Sequence, residues 1–135
     1  MKKIALFLVL ITSLLSCSVD QPDSYTSYVL PVDSYTMPTT FVVGGSYEVK
    51  LKYQKPTACY NYGGIYYYAE NNTRTIGIYA NVKAGEVCSE ELPPLTEVSF
   101  TFSPTTAGTY IFKFYKGPDS SGANVFEDVE VVVTE

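Results

Sequence analysis

Histidine is absent from the 135 residues of this sequence, and tryptophan is absent as well. Histidine is the side chain most often used for proton transfer near neutral pH and the commonest metal ligand in proteins. Without it, neither a Ser-His-Asp nor a Cys-His catalytic arrangement is available, and the sequence contains no glycine-rich phosphate loop. We therefore expect that the protein is not an enzyme and that it uses no cofactor.

Clusters of basic residues are missing from the body of the chain. The sequence has 9 Lys and Arg residues against 14 Asp and Glu residues, which gives a formal charge of −5. Sequence-independent binding to a phosphate backbone depends on clustered positive charge. Nucleic acid is therefore not an expected partner.

Recognisable metal-ligand spacings are scarce. Glu86, Glu90 and Glu91 flank a cysteine, but nothing else nearby offers ligands at a regular spacing. Residues 119–128 superficially resemble a calcium-binding loop, although Gly122 stands at the fourth position of that stretch rather than the sixth. The first segment is interpreted as a solvated loop and the likeness of the second to a calcium-binding loop is discounted, so no metal site is expected.

The beginning of the chain has the features of an export signal. Two lysines form a positive start, and residues 4–15 form an apolar run that is too short for a comfortable transmembrane span. The run ends in Leu-Leu-Ser-Cys, residues 14–17, which resembles a bacterial lipobox. This resemblance implies cleavage before Cys17 and attachment of lipid to Cys17. The sequence thus predicts a signal peptide over residues 1–16.

Residues 17–26 are polar and contain proline, which suits a flexible acylated tether between the lipid and a folded domain. Each buried methylene contributes about 0.8 kcal/mol, so several long acyl chains make such an attachment effectively permanent. The resemblance therefore predicts a membrane partner, reached through the N-terminal lipid, and a location in the bacterial cell envelope. Ser18 stands where Asp commonly signals inner-membrane retention in enterobacteria, so the resemblance favours the outer membrane.

Only three cysteines are present, and their odd number suits the lipobox interpretation. If lipid occupies Cys17, then Cys59 and Cys88 remain as a pair in an oxidising compartment. A disulfide between them would close a loop of roughly thirty residues and stabilise the fold by about 3 to 4 kcal/mol. The alternative is a pair of buried free thiols.

Alternating side chains predict strands along the rest of the chain. Residues 46–54 alternate between apolar or aromatic and polar side chains, and Ile76, Ile78, Ala80 and Val82 share one side of a later strand. The 13 tyrosines and 7 phenylalanines also favour strands. With abundant turn residues and no amphipathic helix, the pattern predicts an all-β, antiparallel two-sheet sandwich of about seven strands over residues 27–135.

Residues 99–114, "SFTFSPTTAGTYIFKF", resemble the passage between two strands of immunoglobulin-like and fibronectin-like domains. The resemblance implies an immunoglobulin-like sandwich in which Tyr110 is the tyrosine-corner residue, with its hydroxyl bonded back to the preceding turn. The sequence departs from antibody domains because it has no tryptophan and because its cysteines lie off the central strand. A jelly roll or a small barrel is the structural alternative.

Tyrosines are concentrated in residues 57–72, "TACYNYGGIYYYAENN". A tyrosine ring has an apolar body and a polar tip, which suits both packing within a sheet and recognition of sugars or peptides. Ordinary sheet packing and a binding surface therefore both remain open. For a binding surface, the candidate ligand-binding residues are Tyr60, Tyr62, Tyr66, Tyr68, Tyr79 and Arg74.

These observations favour a non-catalytic, lipid-anchored cell-envelope protein that acts as a structural, accessory or protein-interaction module. A short signal, a lipobox and a tyrosine-rich sandwich together resemble small lipoproteins of Bacteroidetes. One alternative is a carbohydrate- or peptide-binding protein that uses the tyrosine-rich surface. Another is an inhibitor of an extracellular enzyme that presents a disulfide-braced loop between Cys59 and Cys88. A protein or glycan partner at the cell envelope is expected in each case.

Overall fold

Nine strands and no helix occur in residues 22–135, the part of the chain that the computed structural model describes. In chain order they are β1 (Tyr25–Leu30), β2 (Ser34–Thr36), β3 (Phe41–Val42), β4 (Tyr47–Tyr53), β5 (Asn61–Glu70), β6 (Thr73–Lys83), β7 (Thr96–Phe102), β8 (Gly108–Pro118) and β9 (Asn124–Thr134). β-Branched and aromatic residues suit these strands because their side chains pack well on a pleated, half-buried surface. The predicted all-β class is confirmed.

The strands form two sheets that enclose one core. One sheet has three strands in the order β2-β4-β7. The other has six: β1-β6-β8-β9-β3 in order, with β5 paired to the opposite edge of β6. Within residues 22–135, five of the seven strand pairings are antiparallel, and the pairings β3-β9 and β6-β8 are parallel. The predicted two-sheet sandwich is confirmed.

The predicted number of about seven strands was too low. The additional strands include β2 and β3, which have three and two residues and lie in or next to a proline-containing segment. Their hydrogen bonds join them to β4 and β9, which are distant in sequence. Such short strands have too few residues to show an alternating pattern, so local periodicity does not reveal them.

β1 lies where β6 and β8 diverge. β6 pairs with β8 over Thr73–Ile76 and with β1 over Ile78–Lys83. Beyond β1, the amide of Val32 donates to the carbonyl of Tyr115 on β8 at 2.8 Å. The chain after β1 therefore lies beside β8, and the six-stranded sheet remains hydrogen-bonded across the divergence.

The core is apolar and rich in aromatic rings. The predicted inward side of β6 is confirmed for Ile76, Ile78 and Ala80, which are fully buried, whereas Val82 is half-buried. Full burial of an isoleucine side chain stabilises the fold by about 1.5 to 3 kcal/mol relative to exposure. The other large buried side chains come from both sheets and include Phe41, Leu51, Tyr53, Tyr110, Phe112 and Phe114.

The predicted signal peptide over residues 1–16, the lipidation site Cys17 and the tether as far as residue 21 lie outside the described residues. The folded part begins slightly earlier than residue 27, because Tyr25 and Thr26 pair with Lys83 and Val82 on β6. In residues 22–135, the structure contains no helix with the length and hydropathy needed to cross a bilayer.

Candidate ligand-binding face

Cys59 and Cys88 form a disulfide with their Cα atoms 5.6 Å apart, as predicted. The bond joins the segment just before β5 to the segment just after β6. The chain that it closes is therefore a β-hairpin and not the braced loop that the inhibitor hypothesis assumed. The hairpin turns between β5 and β6 at Asn71, which adopts a positive φ of 50°.

The exposed loop in this region follows Cys88. Residues 84–95 connect β6 to β7, and the Val87 side chain in this loop is 96% exposed. The loop is held at Cys88 by the disulfide and near its other end by Gln54, whose side-chain amide donates to the Pro93 carbonyl.

Alternation along β5 separates its central tyrosines between two sides of the six-stranded sheet. The Tyr67 ring points towards the other sheet and lies 5.5 Å from the Phe100 ring. Tyr66 points the other way, and its ring meets that of Tyr79 on β6 edge-on at 5.4 Å. Tyr68 shares this outer side and is 53% exposed.

Tyr60 and Tyr62 do not join that outer side. The Tyr62 ring lies 6.3 Å from Tyr53 of the three-stranded sheet, and the Tyr60 ring lies 5.3 Å from Tyr28 and packs against the core. The predicted set of six ligand-binding residues is therefore not a single surface.

A β-bulge explains this division. The register of β5 shifts between Tyr62 and Gly64: Tyr62 pairs with Ala80, whereas Tyr66 pairs with Gly77. Four steps along β5 thus correspond to three steps along β6. The additional residue reverses the alternation, so Tyr62 lies on the core side and Tyr66 on the outer side. Gly64 provides the necessary conformation, with a φ of 132°.

Arg74 is half-buried on the core side of the sheet, away from the outer side. One of its guanidinium nitrogens donates to the carbonyls of Asn71 and Thr73 at 2.7 and 2.8 Å. The guanidinium carbon also lies 5.0 Å from the centre of the Tyr110 ring. Burial raises the pKa of the Tyr67 hydroxyl, and the Arg74 charge partly opposes this rise. These contacts assign Arg74 a role in packing and turn geometry.

Tyr110 occupies the position expected of a tyrosine corner. Its ring is buried, and its hydroxyl donates to the Thr106 carbonyl at 3.1 Å and lies 2.9 Å from the Thr106 hydroxyl. These contacts tie the start of β8 to the preceding turn.

Five strands contribute to a depression of about 310 Å³ on the outer side of the six-stranded sheet. We call this depression the aromatic groove. Its residues come from β1, β5, β6, β8 and the start of β9, namely Val29, Tyr66, Thr75, Tyr115, Asn124 and Phe126.

Gly77 creates space at the aromatic groove. It pairs with Tyr66, and a Cβ atom at this position would stand 2.7 Å from a methyl of Val29 and 3.6 Å from the Cβ of Tyr115. The missing side chain therefore lets residues of three neighbouring strands approach one another over the backbone of β6.

The residues that line the aromatic groove carry no formal charge. At its margin, the Lys113 ammonium donates to both carboxylate oxygens of Asp128 at 2.9 and 3.0 Å and lies 5.6 Å from the centre of the Phe126 ring. This lysine is already paired. The groove thus presents aromatic rings, hydroxyls and an amide, with little electrostatic attraction for an anion.

Sequence reasoning included Tyr66 in this surface but missed Tyr115 and Phe126. A local signal existed for Tyr115, because alternation in β8 places it on the side opposite the buried phenylalanines. The pairing of β8 with β9, which sets the Tyr115 ring 5.7 Å from that of Phe126, was not available from the sequence.

No cluster of three or more metal-ligating side chains occurs in residues 22–135. Comparison of the chain with protein-family models, with curated proteins and with solved structures found no match in any of the three.

Proposed function

We propose that this chain is a non-catalytic binding protein of the bacterial cell envelope, held there by lipid on Cys17. Its binding surface is the outer side of the six-stranded sheet around the aromatic groove. The observation that carries this proposal is the gathering of the Tyr66, Tyr79, Tyr115 and Phe126 rings on that outer side.

The location of these rings supports a role in binding. The outer side of an antiparallel sheet commonly faces water and carries polar residues. Here it carries partly exposed aromatic side chains, which are a hallmark of recognition surfaces because a ring provides a large, rigid contact area. The core has its own rings from both sheets, so the outer rings are additional to those that fill it.

Support for the envelope location comes from the sequence. The apolar run over residues 4–15 is followed by the lipobox-like residues 14–17. The proposed lipid attaches before β1, which begins at Tyr25, so a short segment separates it from the sandwich. Such an anchor would keep the domain beside the membrane while leaving its outer surface free to meet partners.

Site-specific photo-crosslinking in the native envelope tests this proposal. A benzophenone amino acid replaces Tyr79, which is 40% exposed beside the groove, or Tyr62, which is 46% exposed on the core side of the same hairpin. We expect a crosslinked envelope protein or glycan from position 79, and we expect Tyr66→Ala to abolish it.

Position 62 is the matched control, because it has the same residue type, the same hairpin and similar exposure. Equal products from both positions, or no product from position 79, would contradict a binding role for the outer side.

A further inference from the structure

We infer that the aromatic groove is a binding site for an uncharged glycan. This inference rests on the proposed function and gives its partner a chemical class. Four properties of the groove support it: its size, its rings, its free polar atoms and its lack of charge.

The size of the groove suits a short stretch of saccharide. Its volume of about 310 Å³ is at the lower end of the range for small-ligand sites. It lies on the outer side of the six-stranded sheet, between side chains of five strands.

The rings provide the apolar half of sugar recognition. A pyranose ring has faces formed by C–H groups and edges that carry hydroxyls. Aromatic side chains offer flat apolar surfaces with a negative face, which attracts the partly positive hydrogens of C–H groups. Tyr66, Tyr115 and Phe126 belong to three different strands, so a ligand in the groove meets rings on several sides.

The polar atoms of the groove are available to a ligand. The hydroxyls of Tyr66, Thr75 and Tyr115 and the side-chain amide of Asn124 make no hydrogen bond to another residue of the range 22–135. Hydroxyls both donate and accept, and an amide does both at separate atoms, which matches the mixed character of sugar hydroxyls.

The lack of charge favours a neutral ligand. The lining has no basic side chain, and Lys113 at the margin is paired with Asp128. An acidic polysaccharide or a nucleotide would gain no ion pair there. Because the whole chain is acidic, with a formal charge of −5, an anionic ligand would also meet weak overall repulsion.

An extended peptide fits this surface less well than a glycan. The backbone groups beneath the groove are occupied by pairings among β1, β5, β6, β8 and β9, so they cannot bond to an added peptide. A peptide lying across the sheet would have to satisfy its own backbone groups through water or the few side chains. Within residues 22–135, β5 pairs only with β6, so its other edge is the place where peptide addition would be expected instead.

Titration of the purified full chain with defined oligosaccharides tests the inference. The probes are cellohexaose, maltohexaose, xylohexaose and mannohexaose, with hexagalacturonate as the anionic comparison. The titration uses a detergent without a sugar headgroup, because such a headgroup would compete with the probes. We expect saturable binding of at least one neutral probe by calorimetry, and no binding of hexagalacturonate.

Variants identify the site. Loss of one stacking ring should weaken binding about three- to tenfold, so we expect this change for Tyr66→Ala and for Tyr115→Ala. Tyr62→Ala is the matched control, because it removes a tyrosine from the same strand on the opposite side of the bulge, and it should leave affinity unchanged. If a ring deletion unfolds the protein, Asn124→Ala, at an exposed position of the groove, provides a second test of the site.

Three outcomes would overturn the inference: no binding of any neutral probe, binding of hexagalacturonate as tight as that of the best neutral probe, or equal weakening by Tyr62→Ala. The crosslinking experiment separates this failure from failure of the proposed function. If position 79 yields a crosslinked protein but no neutral probe binds, the binding role is supported and the glycan inference is rejected.

Discussion

Tyrosine side chains serve three purposes in this protein, and their positions distinguish them. Tyr110 is buried and bonds back to the turn before β8. Tyr67 points towards the second sheet and packs on Phe100. Tyr66 and Tyr115 line a groove on the outer side. The same residue type thus supplies a structural hydrogen bond, packing between the two sheets and a partly exposed recognition surface, because its ring is apolar and its tip is polar.

Replacing Tyr110 with phenylalanine should destabilise the fold by about 1 kcal/mol, because the buried ring stays while its hydrogen bond to the Thr106 carbonyl is lost. Urea denaturation followed by circular dichroism measures this change. Tyr115→Phe is the control, since the Tyr115 hydroxyl has no hydrogen-bond partner in residues 22–135. Equal unfolding free energies for Tyr110→Phe and the unsubstituted protein would show that the corner bond contributes nothing.

The bulge in β5 decides which tyrosines of this strand share a surface. Regular alternation would place Tyr60, Tyr62, Tyr66 and Tyr68 on one side of the strand. The register shift between Tyr62 and Gly64 separates the first two from the others. The sequence did contain a signal, since glycine inside a strand often marks a bulge, but two adjacent glycines do not specify where the additional residue lies.

The β5-β6 hairpin is closed by the disulfide, so replacing Cys88 with serine should lower the free energy of unfolding by about 3 to 4 kcal/mol. The physical reason is that the released chain of about thirty residues gains conformational freedom when unfolded. Denaturant titration under non-reducing conditions measures the loss. The unsubstituted protein in reducing agent should show a similar loss.

A change below about 1 kcal/mol for Cys88→Ser would mean that strand pairing alone holds the hairpin. Ser89→Ala, next to the bridge in the same exposed loop, should have little effect and controls for disturbance of that loop.

At the scale of the whole molecule, the proposed arrangement is a lipid, a short segment and a sandwich with one aromatic outer side. Every strand from β1 onward is tied into one of the two sheets, and both sheets share one core. The sandwich can therefore act as a rigid platform, because the groove residues stand on hydrogen-bonded strands and not on loops.

Replacing Cys17 with serine should release the exported protein from the membrane fraction, because the acyl chains have no other proposed attachment point. Fractionation with immunodetection measures the shift, and Ser18→Ala should remain in the membrane fraction. Intact mass of the unsubstituted protein should give a chain that starts at Cys17 and carries lipid. A mature chain that starts elsewhere, or an unmodified Cys17, would contradict the anchor.

Features that depend on neighbouring residues were predictable from the sequence. Alternation in β4 and β6 predicted their inward sides, and cysteine parity predicted the pair Cys59 and Cys88. Each signal depends on neighbouring residues or on the number of cysteines, so it can be read without knowledge of the fold.

Contacts between distant residues became visible only in the folded protein. The short strands β2 and β3, the place of β1 between diverging strands and the meeting of Tyr66 with Tyr115 and Phe126 all depend on pairings between distant segments. The physical reason is that register is a relation between two strands, and a shift of one residue moves every following side chain to the opposite side of a sheet.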